Sequence, residues 1–226
     1  MKSISKIAAL MAACCVVLTA MYGCRDEKEL EERLGVIVDG CNAAISLTSG
    51  EIMVYETFKP EANRDDKILE SVTETYAKFI QEDSLEYDYT GSKKYVSTEK
   101  VDLLEATQSG GELIVTRNGV VVSNDEAPDI FEYFRIDYTV ADIENIDIIE
   151  TTGESVMLYA VTMTGSYADR FDGEADGVVT DCKKVIYNYY FDYTGTVRDV
   201  MINYELELEY NGETQSAEHF VQATIE

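Results

Sequence analysis

The chain has 226 residues, of which 18 are basic and 44 are acidic, so its formal net charge is −26. A surface this acidic repels phosphate backbones, which excludes nucleic-acid binding. Hydrophobic residues make up 46% of the chain, enough to bury a core, and the length suits one domain once a targeting segment is removed. We expect the acidity to keep an exported domain soluble; acidic loops that hold Ca²⁺ or a cationic partner are the alternative.

The first 23 residues have the pattern of a secretory signal. Lys2 and Lys6 form a short basic region, and residues 7–23 are an apolar run without a charge. That order of a positive end, an apolar stretch and a small residue before the cleavage point is typical of exported proteins. The run is slightly short for a permanent membrane span, which needs about 20 apolar residues. Simple secretion and an uncleaved anchor are the alternatives.

The segment "MYGC" at residues 21–24 resembles a bacterial lipobox. The resemblance implies that Cys24 is diacylated on its thiol and becomes the first residue of the mature protein. "LMAAC", which ends at Cys14, is a rival lipobox. Cleavage at Cys14 would leave an apolar stretch on the mature chain, so the change in polarity after Cys24 favours Cys24. We therefore predict a lipoprotein signal peptide at residues 1–23.

A lipidated Cys24 predicts where the protein is found. Two acyl chains anchor a protein stably without a membrane span, which predicts a lipid-anchored protein on the extracytoplasmic face of the cell membrane or envelope. The mature chain keeps 16 basic and 44 acidic residues, a net charge of −28. We predict a charged spacer at residues 24–33 and a single globular domain at residues 34–226.

Two helices and a strand are predicted in the first third of this domain. One apolar face repeats at helical spacing through Leu30, Leu34, Ile37, Val38, Cys41 and Ile45. Residues 51–58, "EIMVYETF", are predicted to form a strand. A second apolar helical face runs through residues 65–80, although Thr73 and Thr75 weakly favour a strand there.

The rest of the chain is predicted to be mostly β. "SLEYDYTG" alternates as a strand, and Asn118-Gly119 joins two β-rich runs in a type I′ hairpin turn. A short helix is predicted to open at Pro128, and a further hairpin turns near residues 153–154. Residues 183–226 predict a three-stranded meander with apolar and polar side chains alternating between its faces.

No motif in the sequence indicates catalysis. The single histidine, His219, lies among apolar residues of a predicted strand, where packing is the more common role. Phosphate-binding, serine-hydrolase and zinc motifs are missing, so we predict a protein that is not an enzyme and binds no cofactor. A mechanism with two carboxylates, as in glycosidases, is left open because it needs only two of the 44 acidic residues.

Residues 172–177, "DGEADG", match the head of a calcium-binding loop. Position 12 of such a loop requires an acidic residue, but Lys183 stands there. A solvated loop without metal is therefore the favoured interpretation. Cys41 and Cys182 are an even pair that can form a disulfide outside the cytoplasm, and two buried thiols are the equal alternative.

Aromatic residues concentrate on one face of a predicted strand near residue 190. Tyr187, Tyr189, Phe191 and Tyr193 alternate along it. They either line an apolar site for a ligand or fill a core between sheet and helices, and the filled core is the alternative that such patterns more often produce.

These elements predict an α+β domain with a curved antiparallel sheet, half-barrel-like, packed on two or three helices. "GEIMVYETF" after a helix and "YYFDYTGTVRDVMINYELELEYNG" are similar to the order of elements in LolA/LppX-type lipoproteins, over about residues 45–226. In that family the sheet holds lipid or acyl chains beneath its helices. The resemblance implies an anchored, non-catalytic binding module for an apolar or lipid-like ligand. An acidic cell-envelope interaction or structural protein is the alternative, and an enzyme on an open, cone-shaped sheet is the third.

Overall fold

Antiparallel strands in one open, curved sheet make up most of the protein. The computed structural model describes residues 26–61, 70–96, 98–151, 156–171, 179–210 and 213–226. Within these residues the strands are β1 (Ser49–Pro60), β2 (Ser71–Gln81), β3 (Leu85–Tyr95), β4 (Val101–Ser109), β5 (Glu112–Arg117), β6 (Val120–Val121), β7 (Ile143–Thr151), β8 (Val156–Met163), β9 (Val179–Phe191), β10 (Val197–Tyr210) and β11 (Glu213–Ile225). They lie in the order β6-β5-β4-β3-β2-β1-β11-β10-β9-β8-β7.

The helices are fewer than predicted. In the described part of the chain they are α1 (Glu27–Ile45) and the four-residue α2 (Gly165–Ala168). Single turns of 3-10 helix occur at Asn124–Glu126, Glu132–Phe134, Val140–Asp142 and Asp169–Phe171. The antiparallel sheet agrees with the prediction, but packing on two or three helices overstated the helical layer, which has one long helix.

Two meanders meet at a single ladder to form the sheet. Strands β1 to β6 pair in sequence, as do β7 to β11, and the first and last strands then pair with each other. The ladder runs from Ile52 opposite Ile225 to Pro60 opposite Ala217. Successive side chains of a strand point to opposite faces. We call the face of buried Ile52 and Ile225 the inner face and the opposite one the outer face.

Helix α1 packs on the inner face, over the second meander. It begins after Asp26, whose side chain accepts a hydrogen bond from the N–H of Glu29 at 3.3 Å. A Cβ atom added to Gly40 would lie 2.3 Å from a ring carbon of Phe191, so the missing side chain lets α1 approach β9 closely. The predicted helix is confirmed. It starts at Glu27, so most of the segment 24–33 that we predicted as a spacer is helical.

The first half of α1 also contacts the edge of the sheet. The Arg33 guanidinium donates to the carbonyl oxygen of Ile146 in β7 and to the carboxylate of Glu29, one helical turn earlier. Among the described strands β7 pairs with β8 alone, so this contact joins α1 to an edge strand.

A long connection crosses the inner face beside α1. Residues 122–142 lead from β6 at one edge of the sheet to β7 at the other. Ile130, Phe131, Phe134 and Tyr138 in this segment are buried, and the Phe131 ring packs edge-on against Phe79 with centroids 5.1 Å apart. The short helix predicted at Pro128 is a single 3-10 turn four residues later, at Glu132–Phe134.

The prediction of a helix over residues 65–80 is wrong for the residues that the structure describes. Residues 71–81 form β2, paired with β1 on one side and β3 on the other, and residues 62–69 lie outside the described part. Ala77 and Phe79 are buried on the inner face, whereas Tyr76 and Ile80 are on the outer face and more than 40% exposed. Apolar residues on both faces of one strand produced a spacing that imitates a helix.

The other strand predictions are confirmed. Asn118 and Gly119 have φ of 51° and 77°, the left-handed region that a type I′ turn requires, between β5 and β6. The strand at residues 51–58 lies within β1, the strand at "SLEYDYTG" lies within β3 apart from Ser84, and β7 and β8, on either side of residues 152–155, pair as the predicted hairpin. The C-terminal meander is β9, β10 and β11.

Asp192 organises the turn between β9 and β10. Its carboxylate accepts hydrogen bonds from the N–H groups of Thr194 at 2.8 Å and Thr196 at 3.1 Å, and from Nε of Arg198 at 2.8 Å. Burial acts to raise the pKa of Asp192, but the hydrogen bonds outweigh it and lower the pKa to about 2. The turn is therefore held by a charged acceptor.

Replacing Asp192 with Ala should lower the free energy of unfolding at pH 7 by ~2 kcal/mol. The folded-state pKa of Asp192 is lowered, so its contribution is complete above the unfolded value of about 3.9 and is lost as the pH falls through the folded value. Urea unfolding at pH 7, 4 and 2 should show a difference between wild type and variant that shrinks only at the lowest pH. Asp147→Ala, at an exposed position on β7, is the control. A difference that is the same at pH 7 and pH 2 would contradict this account.

Candidate functional site

The aromatic strand face that we considered for ligand binding lies in the core, except at its end. Tyr187, Tyr189 and Phe191 are buried on β9. Tyr187 and Tyr189 stack with centroids 6.1 Å apart, and the Tyr138 ring lies 5.3 Å from that of Tyr187. Tyr193 follows the end of β9 and is 89% exposed. The sequence left open an apolar ligand site or a filled core, and these contacts correspond to a filled core.

Hydroxyl groups of this aromatic core bond to one another. The Tyr138 hydroxyl donates to that of Tyr189 at 2.8 Å, and the hydroxyls of Tyr167 and Tyr187 are 2.9 Å apart. Burial raises the pKa of all four hydroxyls. They therefore stay neutral and satisfy each other within the core, as buried polar groups must.

Cys41 and Cys182 lie in the same inner layer. Both are buried, on α1 and β9, and no disulfide joins them. Burial raises the pKa of the Cys41 thiol to about 12, so it is far from the thiolate form that reacts. The Cys182 thiol lies 3.8 Å from the carbonyl oxygen of Lys184, to which it donates.

His219 joins the two meanders across the β1–β11 ladder. Its Nε2 donates to Oε1 of Glu56 at 2.7 Å, and each side chain is less than one-third exposed. The Tyr204 ring stacks on the imidazole with centroids 4.9 Å apart, and the Phe58 ring approaches it edge-on at 6.3 Å. Burial acts to raise the pKa of Glu56, but the hydrogen bond and charge of His219, with Lys93, lower it overall. This arrangement suits a structural pair between strands.

A depression on the outer face crosses the same ladder and has the features of a binding site. Its volume is about 530 Å³. The side chains that reach it come from β1, β2, β3 and β11: Met53, Tyr55, Glu74, Tyr76, Thr90, Gln222 and Thr224. Ligand sites commonly combine apolar and aromatic side chains with a few placed polar groups, and this set has that composition.

The apolar part of the depression is exposed to solvent. Met53, Tyr55 and Tyr76 are 40%, 43% and 42% exposed. The Tyr76 hydroxyl bonds to the carboxylate of Glu51, which raises the pKa of Tyr76. On β11, Thr224 and Gln222 both donate to Oδ1 of Asp199 in β10, the latter at 3.5 Å. Neighbouring side chains thus hold the ring and two of the polar groups in place.

Sequence reasoning did not select this site, although β1 carried a signal. Ile52 and Val54 are apolar on the inner face, and Met53 and Tyr55 are apolar on the outer one. A strand that is apolar on both faces needs either a second layer or a ligand to cover the outer face. The alternation within "EIMVYETF" shows this excess, but it does not identify the partners on the other three strands.

Metal-binding clusters and membrane-spanning helices are both missing from the described residues. In them, no group of three or more His, Cys, Asp or Glu side chains is placed to hold a metal ion. The calcium-loop candidate at residues 172–177 lies outside the described ranges. Across residues 26–226, leaving out the gaps named above, no helix combines the length and apolar character needed to cross a membrane.

Comparisons with known proteins add a distant structural match. No protein-family model matches the chain, and no curated protein matches it. Nine chains among solved structures match. One of them is a DUF1329 family protein from Desulfovibrio piger, with 9% sequence identity and a TM-score of 0.23, covering 85% of this chain and 90% of that one. A TM-score this low carries no inference about fold or function.

A double-mutant cycle should measure the pair across the ladder. We expect Glu56→Gln, His219→Gln and the double variant to give a coupling energy of about 1 kcal/mol at pH 6 in urea unfolding. Because the folded-state pKa of Glu56 is lowered, the coupling should disappear as the pH falls below the ordinary carboxyl range of about 4. Glu218→Gln, at an exposed position next to His219, should show no coupling to Glu56. A coupling below about 0.3 kcal/mol at pH 6 would show that the two side chains act independently.

Proposed function

We propose that this chain is an anchored extracytoplasmic lipoprotein whose folded part is a non-catalytic binding module. The charge pattern of residues 1–24 and the lipobox-like "MYGC" support the anchor on Cys24. The observation that carries the binding role is the outer-face depression with its exposed apolar floor. Its ligand presents an apolar surface to Met53, Tyr55 and Tyr76.

The ligand site that we propose differs from the one implied by the LolA/LppX resemblance. In that family the ligand lies on the face of the sheet beneath the helices. Here Tyr187, Tyr189 and Phe191 on that face are buried in contact with one another and with neighbouring aromatic rings. The outer face carries exposed apolar side chains, so we place the ligand there.

A short tether follows from the start of α1. Only Arg25 and Asp26 separate Cys24 from the first helical residue, Glu27, which allows a reach of about 10 Å from acyl chain to helix. A lipidated Cys24 would therefore hold the domain close to the membrane surface. The net charge of −28 after cleavage keeps the domain from lying flat on anionic headgroups.

Metabolic labelling with radioactive palmitate should label the wild-type protein and not Cys24→Ala, because the acylated thiol is removed. Cys14→Ala should remain labelled, since Cys14 leaves with the signal peptide. Label that persists on Cys24→Ala, or disappears with Cys14→Ala, would place the acyl group elsewhere.

The binding role can be tested on protein purified from membranes into lipid nanodiscs. Mass spectrometry after denaturation should detect a small molecule released from the wild type. The amount should fall at least fivefold in a Tyr55→Ala/Tyr76→Ala variant. Removal of central aromatic side chains typically weakens binding by about that factor or more. Tyr193→Ala removes an exposed tyrosine outside the depression and should release the wild-type amount. Equal release from all three proteins, or none from any, would argue against the proposal.

A further inference from the structure

The register of four strands arranges the depression as two short rows of side chains. One row across β11, β1, β2 and β3 consists of Thr224, Met53, Tyr76 and Thr90. The next row, two residues along the strands, consists of Gln222, Tyr55 and Glu74. With strands about 4.8 Å apart and alternate residues about 7 Å apart, the surface measures roughly 14 Å by 7 Å. Those are the dimensions of a two- to three-ring molecule lying flat.

The two tyrosine rings are the central apolar feature. Tyr76 is directly opposite Met53, and Tyr55 lies diagonally across from Tyr76. Tyrosine gives a rigid aromatic face at little cost in conformational entropy. The Glu51 contact with the Tyr76 hydroxyl restricts that ring further. The ligand must therefore offer a flat apolar face about the size of one ring.

The groups around the rings are mostly neutral and both donate and accept hydrogen bonds. The Thr90 hydroxyl and the Gln222 amide can each donate and accept, whereas the Thr224 hydroxyl, whose O–H is donated to Asp199, can only accept. Of the described side chains that reach the depression, Glu74 alone is charged, and a carboxylate only accepts. Asp199 holds Thr224 and Gln222 from β10, so these two groups are placed before a ligand arrives.

This combination fits one class of ligand. A sugar ring has a flat C–H face and a rim of hydroxyls, each of which needs both a donor and an acceptor. An anionic ligand is opposed by Glu74 and by a chain charge of −26. An acyl chain would remain largely exposed in a depression whose floor residues are about 40% exposed, so it would gain little from removing its apolar surface from water.

We propose that the outer-face depression binds a neutral carbohydrate, with sugar rings stacked on Tyr55 and Tyr76 and their hydroxyls bonded to Glu74, Gln222 and Thr224. This rests on the proposed function, since it assigns a ligand class to the same site. The depression spans the β1–β11 ladder, so the bound sugar contacts both meanders.

Isothermal titration of the mature lipoprotein in phosphatidylcholine nanodiscs tests the ligand class. The probes are the neutral tetrasaccharides of glucose (α- and β-linked), xylose and N-acetylglucosamine, with tetragalacturonate as the anionic probe. We expect at least one neutral probe to bind and tetragalacturonate not to bind. Tyr55→Ala and Tyr76→Ala should each weaken binding by about tenfold or more, as for central aromatic anchors.

Two variants keep the result interpretable. Tyr55→Phe keeps the ring and should bind more tightly than Tyr55→Ala, and Tyr193→Ala, outside the depression, should bind like the wild type. Saturation-transfer NMR should show signal passing from tyrosine ring protons to sugar C–H protons, and this transfer should be lost in Tyr55→Ala. Circular dichroism confirms that each variant is folded.

Three results would overturn the carbohydrate assignment: no neutral probe binds, both alanine variants bind as well as the wild type, or only tetragalacturonate binds. If a non-carbohydrate molecule is then released from wild-type protein and not from the Tyr55→Ala/Tyr76→Ala variant, the binding module stands and its ligand is of another class. If nothing is released either, the proposed function fails together with the carbohydrate.

Discussion

The ladder between β1 and β11 is the interaction on which the rest of the structure depends. Within each meander, neighbouring strands follow one another in the sequence, and even the longest connection, residues 164–178 between β8 and β9, costs less loop-closure entropy than a contact between the two ends of the chain. The ladder instead joins residue 52 to residue 225, so it must offset the entropy of closing nearly the whole described chain. Non-local pairing of this kind slows folding. Once formed, the ladder joins the two meanders into one sheet that is broad enough for α1 and residues 122–142 to pack on it.

The two faces of this sheet differ because, in the part of the chain that the structure describes, the long helix and the crossing segment both pack on the inner face. α1, with Gly40 against Phe191, and the crossing segment, with Phe131 against Phe79, close the inner face into a core. The tyrosine hydroxyls there are bonded to each other. On the outer face of the same ladder Met53, Tyr55 and Tyr76 are exposed. No described element packs on them, so their side chains are accessible to a ligand.

How far the sequence predicts this arrangement depends on whether a feature is local. Period-two alternation in β9, β10 and β11 and the Asn118-Gly119 turn are local signals, and both identify their structures. The signal in residues 71–81 is also local but ambiguous, because pairing with β1 and β3 decides between helix and strand. The outer-face site draws on four strands, and Glu56 and His219 are 163 residues apart. Such groupings follow from strand order and register, which alternation alone does not specify.

The contact of Arg33 with the Ile146 carbonyl has a consequence for self-association of the sheet. An open sheet ends in two strands with unsatisfied backbone groups, and such edges are where other chains add by strand pairing and begin to aggregate. At β7 the guanidinium of Arg33 in α1, which also pairs with Glu29, donates to the backbone carbonyl of Ile146. At the opposite edge, β6 has only two residues, too few to template a partner strand. Helix α1 thus covers part of the core and also places a charged side chain against the edge strand β7, which hinders the addition of another strand there.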